Sequence, residues 1–391
     1  MPRRRVLYYV HTYFLDSCLE TLQSIKHHVD IDLLIEVSPD SRKSTVFELS
    51  EINHYDRLEK LKDILSPATW NLFQPYFEHI ASVEVLFFKG KSMVGLDSIM
   101  VGIFLGRLIR SRNYDVVHFD TTSGRAMSSL LFIKNHQLAL TIHDPVPHPG
   151  EESFLLDMVR YFYKRKAMSI SFYSSYSAAL YKQYNKNISQ KINQLRLQPY
   201  SFVSKFKKLP STITPYILFF GQLSYYKGID LLLEAIPTVL AHYPDERFII
   251  AGKSNGFILD RKLLNQYPQH ITFIDNYLSI EQLAHLIQGA KFIVCPYREA
   301  TQSGVLMTAF AMGKTVLATN MGAFPEYISD GINGMLTNAN PNSIAKAIGS
   351  MLESNHYLDM EKNIVQGYST VDSIHNSHAL MQVYHAVETV N

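Results

Sequence analysis

Cysteine and long apolar runs are scarce in this sequence, and each absence excludes a class of protein. Two cysteines, Cys18 and Cys295, stand far apart among 391 residues, so neither a disulfide framework nor a thiolate metal site is available. The best apolar stretch, 99–109, contains an arginine and is shorter than the about 20 residues that a membrane-spanning helix needs. The basic N-terminus soon meets His11 and Asp16 and lacks a small-residue cleavage site, unlike a signal peptide. We therefore expect a cytoplasmic protein.

Long basic runs are also absent, and the 37 Lys and Arg residues nearly balance the 35 Asp and Glu residues. Without a basic stretch or a recognisable recognition helix, nucleic acid is not an expected partner. Glycine and proline occur in ordinary numbers, 18 and 16, and aromatic residues make up 12%, which excludes a disordered or collagen-like chain. The hydrophobic content of 47% over this length favours two globular domains or one large one.

Short β-branched or aromatic runs alternate with longer helical patterns in the first half of the chain, which is typical of βαβ units around a parallel sheet. The segment 97–112 is predicted to be an amphipathic helix with Asp97 as an acidic N-cap. The predicted strands are 5–10, 31–37, 83–88, 115–119 and 138–142, and the other predicted helices are 16–28, 53–65 and 68–80.

The polar, proline-bounded segment 206–215 is predicted to be a linker, and after it the same alternation begins again. We predict an α/β architecture of two doubly wound Rossmann-like domains, 1–205 and 216–370, facing each other across a cleft, with ligands at the carboxyl ends of the strands. A helical segment, 371–391, is expected to pack back on the first domain. Predicted strands of the second half are 216–220, 247–251, 271–274, 292–295 and 315–318, and its helices are 229–242, 280–288, 304–312 and 324–328, followed by helices from 341 and from 355.

One candidate site is the turn after the strand 216–220. Gly221 lets the backbone approach a ligand, the following helix start offers free amides, and Lys227 beside Gly228 adds a mobile positive charge. These groups together suit a phosphate. The alternative is an ordinary strand-to-helix connection.

A second candidate follows the strand 292–295. Glu299 comes directly after this strand, and Thr301-Gln302-Ser303-Gly304 leads into a helix of small residues. A carboxylate suits sugar hydroxyls, and helix-start amides suit phosphate oxygens. The alternative for Glu299 is an exposed loop charge.

Two further loops follow predicted strands. In 318–326, Pro325 stands just inside a helix start and Glu326 complements the helix dipole, so a purely structural role is an equal alternative. The proline-rich loop 140–151 contains two histidines and two acids, which makes metal binding conceivable. A rigid proline-rich loop is the structural alternative, and a loop that directs His143 into the cleft is favoured over a metal site. The four candidate metal ligands are His143, Asp144, His148 and Glu151.

These motifs resemble those of retaining GT-B glycosyltransferases of the GT4, or group 1, type. In that family a Gly-Arg-Leu…Lys-Gly turn, an acid-rich strand-to-helix loop and a Gly-Gly-x-x-Pro-Glu-like segment surround a nucleotide-sugar. The matching stretches here are 221–228, 299–314 and 322–326, and the loop 141–151 resembles the His-Asp-Pro loop of some members. The resemblance is strong over about 216–340 and specific for fold and donor class, but it does not identify the sugar.

The resemblance implies a role for each matched residue. Lys227 would neutralise the donor diphosphate, Glu299 would contact the donor sugar, and His143 would approach the reacting sugar as the third catalytic residue. Fixed cations and amide dipoles then stabilise the leaving diphosphate, so no metal or other cofactor is expected. The implied donor-binding residues are Gly221, Gln222, Gln302, Ser303, Gly304, Val305 and Thr308.

The sequence departs from the family pattern at three places. Gln222 stands where arginine is usual and supplies no charge. Thr308 stands where a second acid often holds the nucleotide ribose. The glycine-rich turn after the first strand is replaced by 11–14.

The expected activity is transfer of a sugar, with retention, from a nucleoside-diphosphate-sugar to a hydroxyl of a sugar or a lipid-linked glycan, in surface polysaccharide or glycolipid synthesis. Alternatives are a nucleotide-sugar epimerase or hydrolase and a non-catalytic nucleotide-sugar-binding protein. The segment 160–166 mixes cations with aromatic residues, which suits peripheral contact of the first domain with the inner face of the membrane. A solvated helix face is the alternative for that segment.

Overall fold

The computed structural model of the chain describes residues 3–41, 46–47, 49, 57–147, 153–185, 188–207, 215–254, 262–367 and 370–385. The described residues divide into two compact units. The first contains those up to Gln198 and those from Thr370 onward, and the second contains those from Pro199 to Gly367. Each unit is built around its own sheet, and the predicted α/β fold class is confirmed.

The first unit contains an eight-stranded sheet. Its strand order is β3-β4-β2-β1-β5-β6-β7-β8, and every neighbouring pair is parallel except β3 with β4. Tyr9 in the central strand pairs with Leu34 on one side and Phe119 on the other. The strands are β1 Arg5–His11, β2 Asp30–Val37, β3 Leu58–Lys60, β4 Ser82–Phe87, β5 Val116–Phe119, β6 Leu138–Thr141, β7 Ser169–Phe172 and β8 Lys191–Gln194.

Six helices of the first unit lie between these strands in sequence. They are α1 Leu15–Ile25, α2 Leu61–Ile64, α3 Pro67–Phe77, α4 Leu96–Arg112, α5 Phe154–Lys166 and α6 Ser175–Tyr184. The predicted N-cap of α4 is wrong, because Gly95 occupies that position and Asp97 lies in the first turn. The Asp97 carboxylate instead accepts hydrogen bonds from the amides of Lys89 and Gly90, at 2.8 and 2.9 Å, and so fixes the preceding loop.

The predicted helix 53–65 is also wrong where the structure describes it. Residues 53–56 lie outside the described part, β3 occupies Leu58–Lys60, and only α2 is helical. The physical reason is tertiary: Leu58 pairs antiparallel with Leu86 of β4, so this short segment completes the edge of the sheet.

The second unit contains a six-stranded sheet in which all neighbouring strands are parallel, with the order β11-β10-β9-β12-β13-β14. The strands are β9 Tyr216–Phe220, β10 Phe248–Ala251, β11 Ile271–Ile274, β12 Ala290–Cys295, β13 Val316–Thr319 and β14 Gly334–Thr337. The helices are α7 Ile229–His242, α8 Lys262–Gln266, α9 Ile280–Gly289, α10 Gly304–Ala311, α11 Phe324–Tyr327, α12 Pro341–Leu352 and α13 His356–Gly367.

The division between the units differs from the predicted domain end at residue 205. The short 3-10 helix Ser201–Phe206 packs against α9 and α10, so it belongs to the second unit. Of the predicted linker 206–215, residues 208–214 lie outside the described residues. The last helix, α14 Thr370–His385, belongs to the first unit and packs against α1.

The central strands are buried almost throughout. All five residues of β9 are buried, as are the five residues of β1 from Val6 to Val10. Continuous apolar strands are expected where helices cover both faces of a parallel sheet. The polar residues that follow these strands therefore collect at the carboxyl edge of each sheet.

Candidate functional site

The chain turns sharply between β9 and α7. Gly221 follows β9 with a φ of +117°, and Gly228 precedes α7 with a φ of +63°, both values that favour glycine. A Cβ atom at Gly228 would lie 2.0 Å from the carbonyl oxygen of Pro296. Glycine at this position therefore lets the turn pack against the loop that follows β12.

Lys227 lies over the same turn. Its Nζ is 3.0 Å from the position that a Cβ of Gly221 would occupy and 5.3 Å from the centre of the Tyr297 ring. Burial lowers the pKa of Lys227 to about 8. Among the residues that the structure describes, no Asp or Glu forms an ion pair with this ammonium group. An anionic ligand would supply the charge that the protein does not.

Arg298 connects the turn to the loop after β12. Its guanidinium forms two hydrogen bonds with Asp230, at 2.8 and 2.6 Å, and a third with the carbonyl oxygen of Tyr225 at 3.0 Å. Its backbone amide donates to the carbonyl of Tyr226 at 2.7 Å. These bonds fix Lys227 relative to Glu299, which follows Arg298 and is half-buried. We did not predict a role for Arg298, although it directly precedes the candidate residue Glu299 in the loop after β12.

The N-terminus of α10 approaches the same turn. Ser303 caps the helix, and its Oγ accepts a hydrogen bond from the amide of Leu306 at 3.2 Å. The amides of Gly304 and Val305 lie in the first turn, where a helix supplies no acceptor. A side-chain methyl carbon of Val305 is 3.2 Å from the Cβ position of Gly221. Gly221, Lys227 and the α10 N-terminus therefore converge, as a phosphate site requires.

The other predicted donor-binding residues are placed less uniformly. Gln302 is half-buried just before the α10 cap, whereas the Gln222 side chain is exposed at the turn. Thr308 is buried, and its Oγ1 donates to the carbonyl of Gly304 at 2.7 Å. Because its proton is used inside the helix, the Thr308 hydroxyl can only accept a hydrogen bond from a ligand.

Gly322 and its neighbours support the loop that carries Glu299. Gly322 has a φ of +57°, and a Cβ there would lie 2.0 Å from the carbonyl oxygen of Ala300. The amide of Ala323 donates to the same oxygen at 2.7 Å. Glu326 stands in the first turn of α11. This segment fixes the Glu299 loop through backbone contacts.

His143 lies at the carboxyl end of β6 in the first unit. Its ring is buried and stacks on Phe14 with the ring centres 3.9 Å apart. Its Nε2 is 3.5 Å from Oδ2 of Asp120, whose Oδ1 accepts a hydrogen bond from the Tyr8 hydroxyl at 2.9 Å. A cavity of about 80 Å³ adjoins His143 and is also lined by Thr121 and by Arg160 and Lys164 of α5. We did not predict Asp120, but an acid directly after the strand β5 was a sufficient signal.

A second buried carboxylate, Glu36, lies at the end of β2 in the same unit. Its Oε2 accepts hydrogen bonds from the Tyr9 hydroxyl at 2.8 Å and the Ser123 hydroxyl at 2.5 Å. His11 Nε2 lies 3.9 Å from Oε1. The segment 11–14 lies next to both acid-containing groups: His11 lies near Glu36, and Phe14 stacks on His143, which faces Asp120.

The predicted alternative of a metal site falls partly outside the structure. His148 and Glu151 are not among the described residues. Within the described part of the chain, no three His, Cys, Asp or Glu residues are grouped so that they could hold a metal ion.

Helix α5 has an unusual outward face. Phe154 is 82% exposed, and Met158, Tyr161 and Phe162 are exposed as well, all at positions that share one side of the helix. Outward helix faces are ordinarily polar. In the described ranges, no helix combines the length and apolar character that spanning a bilayer takes.

Part of the second unit is similar to a known protein family and to curated proteins. Residues 214–354 match the family "Glycosyl transferases group 1". The chain is 28% identical over 149 residues to spore coat protein SA of Bacillus subtilis strain 168, covering 35% of this chain and 39% of that protein. It is 26% identical over 182 residues to D-inositol 3-phosphate glycosyltransferase of Corynebacterium urealyticum, covering 44% and 43%. The chain thus matches about two fifths of the length of these curated relatives.

Solved structures align over the whole chain. Sucrose-phosphate synthase from Thermosynechococcus elongatus has a TM-score of 0.65 at 15% identity, and Anabaena Alr3699/HepE in complex with UDP and glucose has 0.62 at 14%, each with 100% of both chains covered. A putative UDP-N-acetylglucosamine 2-epimerase from Listeria monocytogenes has 0.55 at 12%, with 100% of this chain and 98% of that one covered. These likenesses establish the fold, two α/β units with parallel sheets as in GT-B glycosyltransferase structures.

Proposed function

We propose that this protein is a glycosyltransferase that moves a sugar from a nucleoside-diphosphate-sugar to a hydroxyl acceptor. The observation that carries the proposal is the convergence of Lys227 with the α10 N-terminus beside Gly221, inside the segment that matches the group 1 family. A half-buried cation with a lowered pKa and no carboxylate partner among the described residues is suited to an anionic ligand. A nucleoside diphosphate has that chemistry.

The proposed mechanism follows from where charge develops. Breaking the bond between the sugar and the diphosphate leaves negative charge on the departing oxygen, which Lys227 and the amides of Gly304 and Val305 stabilise without rearranging. Glu299 accepts hydrogen bonds from donor-sugar hydroxyls. We propose that these groups suffice without a metal ion. Transfer proceeds with retention, as the GT4 resemblance implies: the acceptor hydroxyl attacks the face from which the diphosphate leaves, and its proton passes to an oxygen of the departing diphosphate.

His143 is the proposed catalytic residue of the first unit. Its Nε2 faces Asp120, and its ring is held between Phe14 and Tyr173, so the imidazole has little freedom to rotate. We propose that it contacts the reacting sugar. Asp120 acts through the imidazole and is a positioning residue.

The alternatives of an epimerase or hydrolase and of a non-catalytic binder have specific support. The fold is shared with the Listeria monocytogenes protein named as an epimerase, and Gln222 and Thr308 supply no charge to the donor site. Transfer is preferred because Lys227 and Glu299 stand in adjacent loops joined by Arg298.

The first experiment is a thermal-shift screen against UDP, GDP, ADP, CMP and their common sugar conjugates. A ligand that binds only the folded protein raises the melting temperature. We expect one nucleotide to give a selective shift that Lys227→Ala abolishes and that Lys346→Ala, which removes an exposed lysine of α12, preserves. Product analysis with the selected donor then separates transfer from epimerisation and hydrolysis. Equal shifts in the two variants would contradict the role of Lys227.

We further propose that the reaction serves surface polysaccharide or glycolipid synthesis at the inner face of the membrane. The exposed apolar face of α5 carries this proposal, together with the basic last turn formed by Lys164, Arg165 and Lys166. A larger fraction of the protein should co-sediment with vesicles of phosphatidylglycerol than with vesicles of phosphatidylcholine. Phe154→Ser should reduce sedimentation, whereas Tyr184→Ser, at an exposed aromatic residue of α6, should not.

A further inference from the structure

The first unit contains a second cavity that the proposed mechanism does not use. It has a volume of about 410 Å³ and lies where α3 meets the edge of the sheet formed by β3 and β4. Ligand pockets commonly measure about 300–1,000 Å³. The lining strand residues Ser82, Val83 and Glu84 form the first half of β4, so this cavity lies away from the carboxyl edge that carries His143.

The wall of the cavity includes Trp70, the single tryptophan of the chain. Its indole is half-buried and stacks on Phe77, with ring centres 5.5 Å apart and planes 20° from parallel. None of the described residues accepts a hydrogen bond from the indole N–H. One ring face is therefore supported by the protein, while the polar edge is available to a ligand.

The polar lining is mixed in charge. Lys60 and Lys62 are balanced by Glu78 and Glu84, and Gln74 adds an exposed amide. Lys60 stands directly opposite Glu84 across the β3–β4 pair, and Glu84 also forms an ion pair with Arg112. A site that paired cations and carboxylates neutralise does not favour a phosphate. Donors and acceptors around an aromatic wall instead match a neutral molecule rich in hydroxyls.

We propose that this cavity binds a neutral hexose unit of a glycan. The pyranose C–H face packs on Trp70, and the hydroxyls bond to Lys62, Gln74 and Glu78. The choice of a glycan rests on the proposed function, since a polysaccharide or glycolipid enzyme meets sugar chains as acceptor or product. The site would hold a sugar of the glycan that is remote from its reacting end. Binding there keeps the glycan on the protein for longer and takes no part in the reaction.

Trp70 provides the test, because all tryptophan emission comes from this site. The full chain is titrated with short neutral gluco-, manno- and galacto-oligosaccharides, and separately with inorganic phosphate. We expect at least one oligosaccharide to shift the emission saturably and phosphate to have no effect. An emission that no sugar alters, or that phosphate alters as strongly, would overturn the proposal.

A matched pair of variants locates the binding. Lys62→Ala with Gln74→Ala removes two exposed side chains of the cavity, and Lys182→Ala with Gln183→Ala removes the same residue types from α6. The cavity variant should raise the Kd by about fivefold or more, as the loss of one or two hydrogen bonds predicts. The α6 variant should bind as the unaltered protein does. Equal affinities in both variants would place the sugar elsewhere.

The nucleotide screen separates the two proposals. If one nucleotide gives a selective thermal shift and sugar transfer is observed, but no sugar changes the Trp70 emission, this site is rejected and the proposed function is retained. A sugar-responsive Trp70 in a protein that binds no nucleotide would support the site and reject the proposed function.

Discussion

The carboxyl edges of the two sheets differ in how their ionisable side chains are paired. In the second unit the half-buried Lys227 lies beside Gly221 and the N-terminus of α10. In the first unit the buried carboxylates Glu36 and Asp120 each accept a hydrogen bond from a tyrosine hydroxyl. Cations also lie at this edge: Arg125 Nη1 is 4.0 Å from Oε1 of Glu36, and Arg160 and Lys164 line the cavity beside His143. The carboxylates of the first edge therefore have partners within the protein, whereas Lys227 forms no ion pair with a carboxylate among the described residues. Under the proposed function, this unpaired cation is suited to the diphosphate of the donor.

The largest effect on the second unit is expected from a substitution at Gly228. Alanine there would place a Cβ 2.0 Å from the carbonyl of Pro296 and strain a backbone with a φ of +63°. We expect destabilisation of more than about 2 kcal/mol and loss of nucleotide binding. Gly331→Ala is the matched control, because its φ is +74° but nothing lies within 4 Å of the new atom. Melting temperatures of the two variants separate the steric clash from backbone strain. Similar losses would show that packing against Pro296 does not matter.

Asp120→Asn tests the acidic edge of the first unit. Asparagine has the same shape, and its amide oxygen can still accept the hydrogen bond from the Tyr8 hydroxyl. Its NH2 group, a hydrogen-bond donor, then replaces the carboxylate oxygen that lies 3.5 Å from Nε2 of His143. Turnover should fall by about 100-fold, with the nucleotide-induced thermal shift unchanged. Glu36→Gln is the companion variant, and it should lower stability more than turnover, because Glu36 bonds to Tyr9 and Ser123. If Asp120→Asn also weakens nucleotide binding, the assignment of separate roles to the two edges is wrong.

The pH dependence of nucleotide binding tests the basic edge. Burial lowers the pKa of Lys227 to about 8, so the free protein loses this charge as the pH rises through 8. A bound diphosphate favours the charged form and raises that pKa, so binding takes up a proton. Affinity should therefore fall above pH 8 by up to about tenfold per pH unit. Calorimetry in buffers of different ionisation enthalpy measures the proton uptake. Lys227→Met should bind the nucleotide weakly, and its affinity should not fall above pH 8. If the affinity of this variant still falls above pH 8, another group is responsible for the pH dependence.

The sequence predicts the second unit better than the first for a physical reason. Most of its strands are short, largely apolar runs, and the helix Ile229–His242 and the strands Tyr216–Phe220 and Ile271–Ile274 match their predicted bounds. The strand Gly334–Thr337 and the short helix Lys262–Gln266 were missed. β3 and Asp97 were misassigned because an edge pairing and a loop contact, both tertiary, decide their roles. The strands Ser169–Phe172 and Lys191–Gln194 were missed, because their polar residues hide the apolar pattern.

Candidate site residues show the same limit. Lys227 and Ser303 could be proposed from the sequence because a turn or a helix start carries its own local signal. Arg298 and Asp120 were missed, because each matters through a partner distant in sequence: Asp230 for the first, and Tyr8 and His143 for the second. A single sequence shows which residues follow a strand, but not which of them meet.

Thr308 gives the smallest expected effect and sharpens the account of the donor edge. Its hydroxyl donates a hydrogen bond to the carbonyl of Gly304, so it can only accept a hydrogen bond from a ribose hydroxyl. Thr308→Val keeps the shape and should raise the KM for the donor by about threefold to tenfold, the value of one neutral hydrogen bond, with kcat unchanged. Thr308→Ser should restore the original KM. A valine variant with unaltered KM would show that the ribose is held elsewhere, and the exposed Gln222 beside Gly221 would be the next residue to substitute.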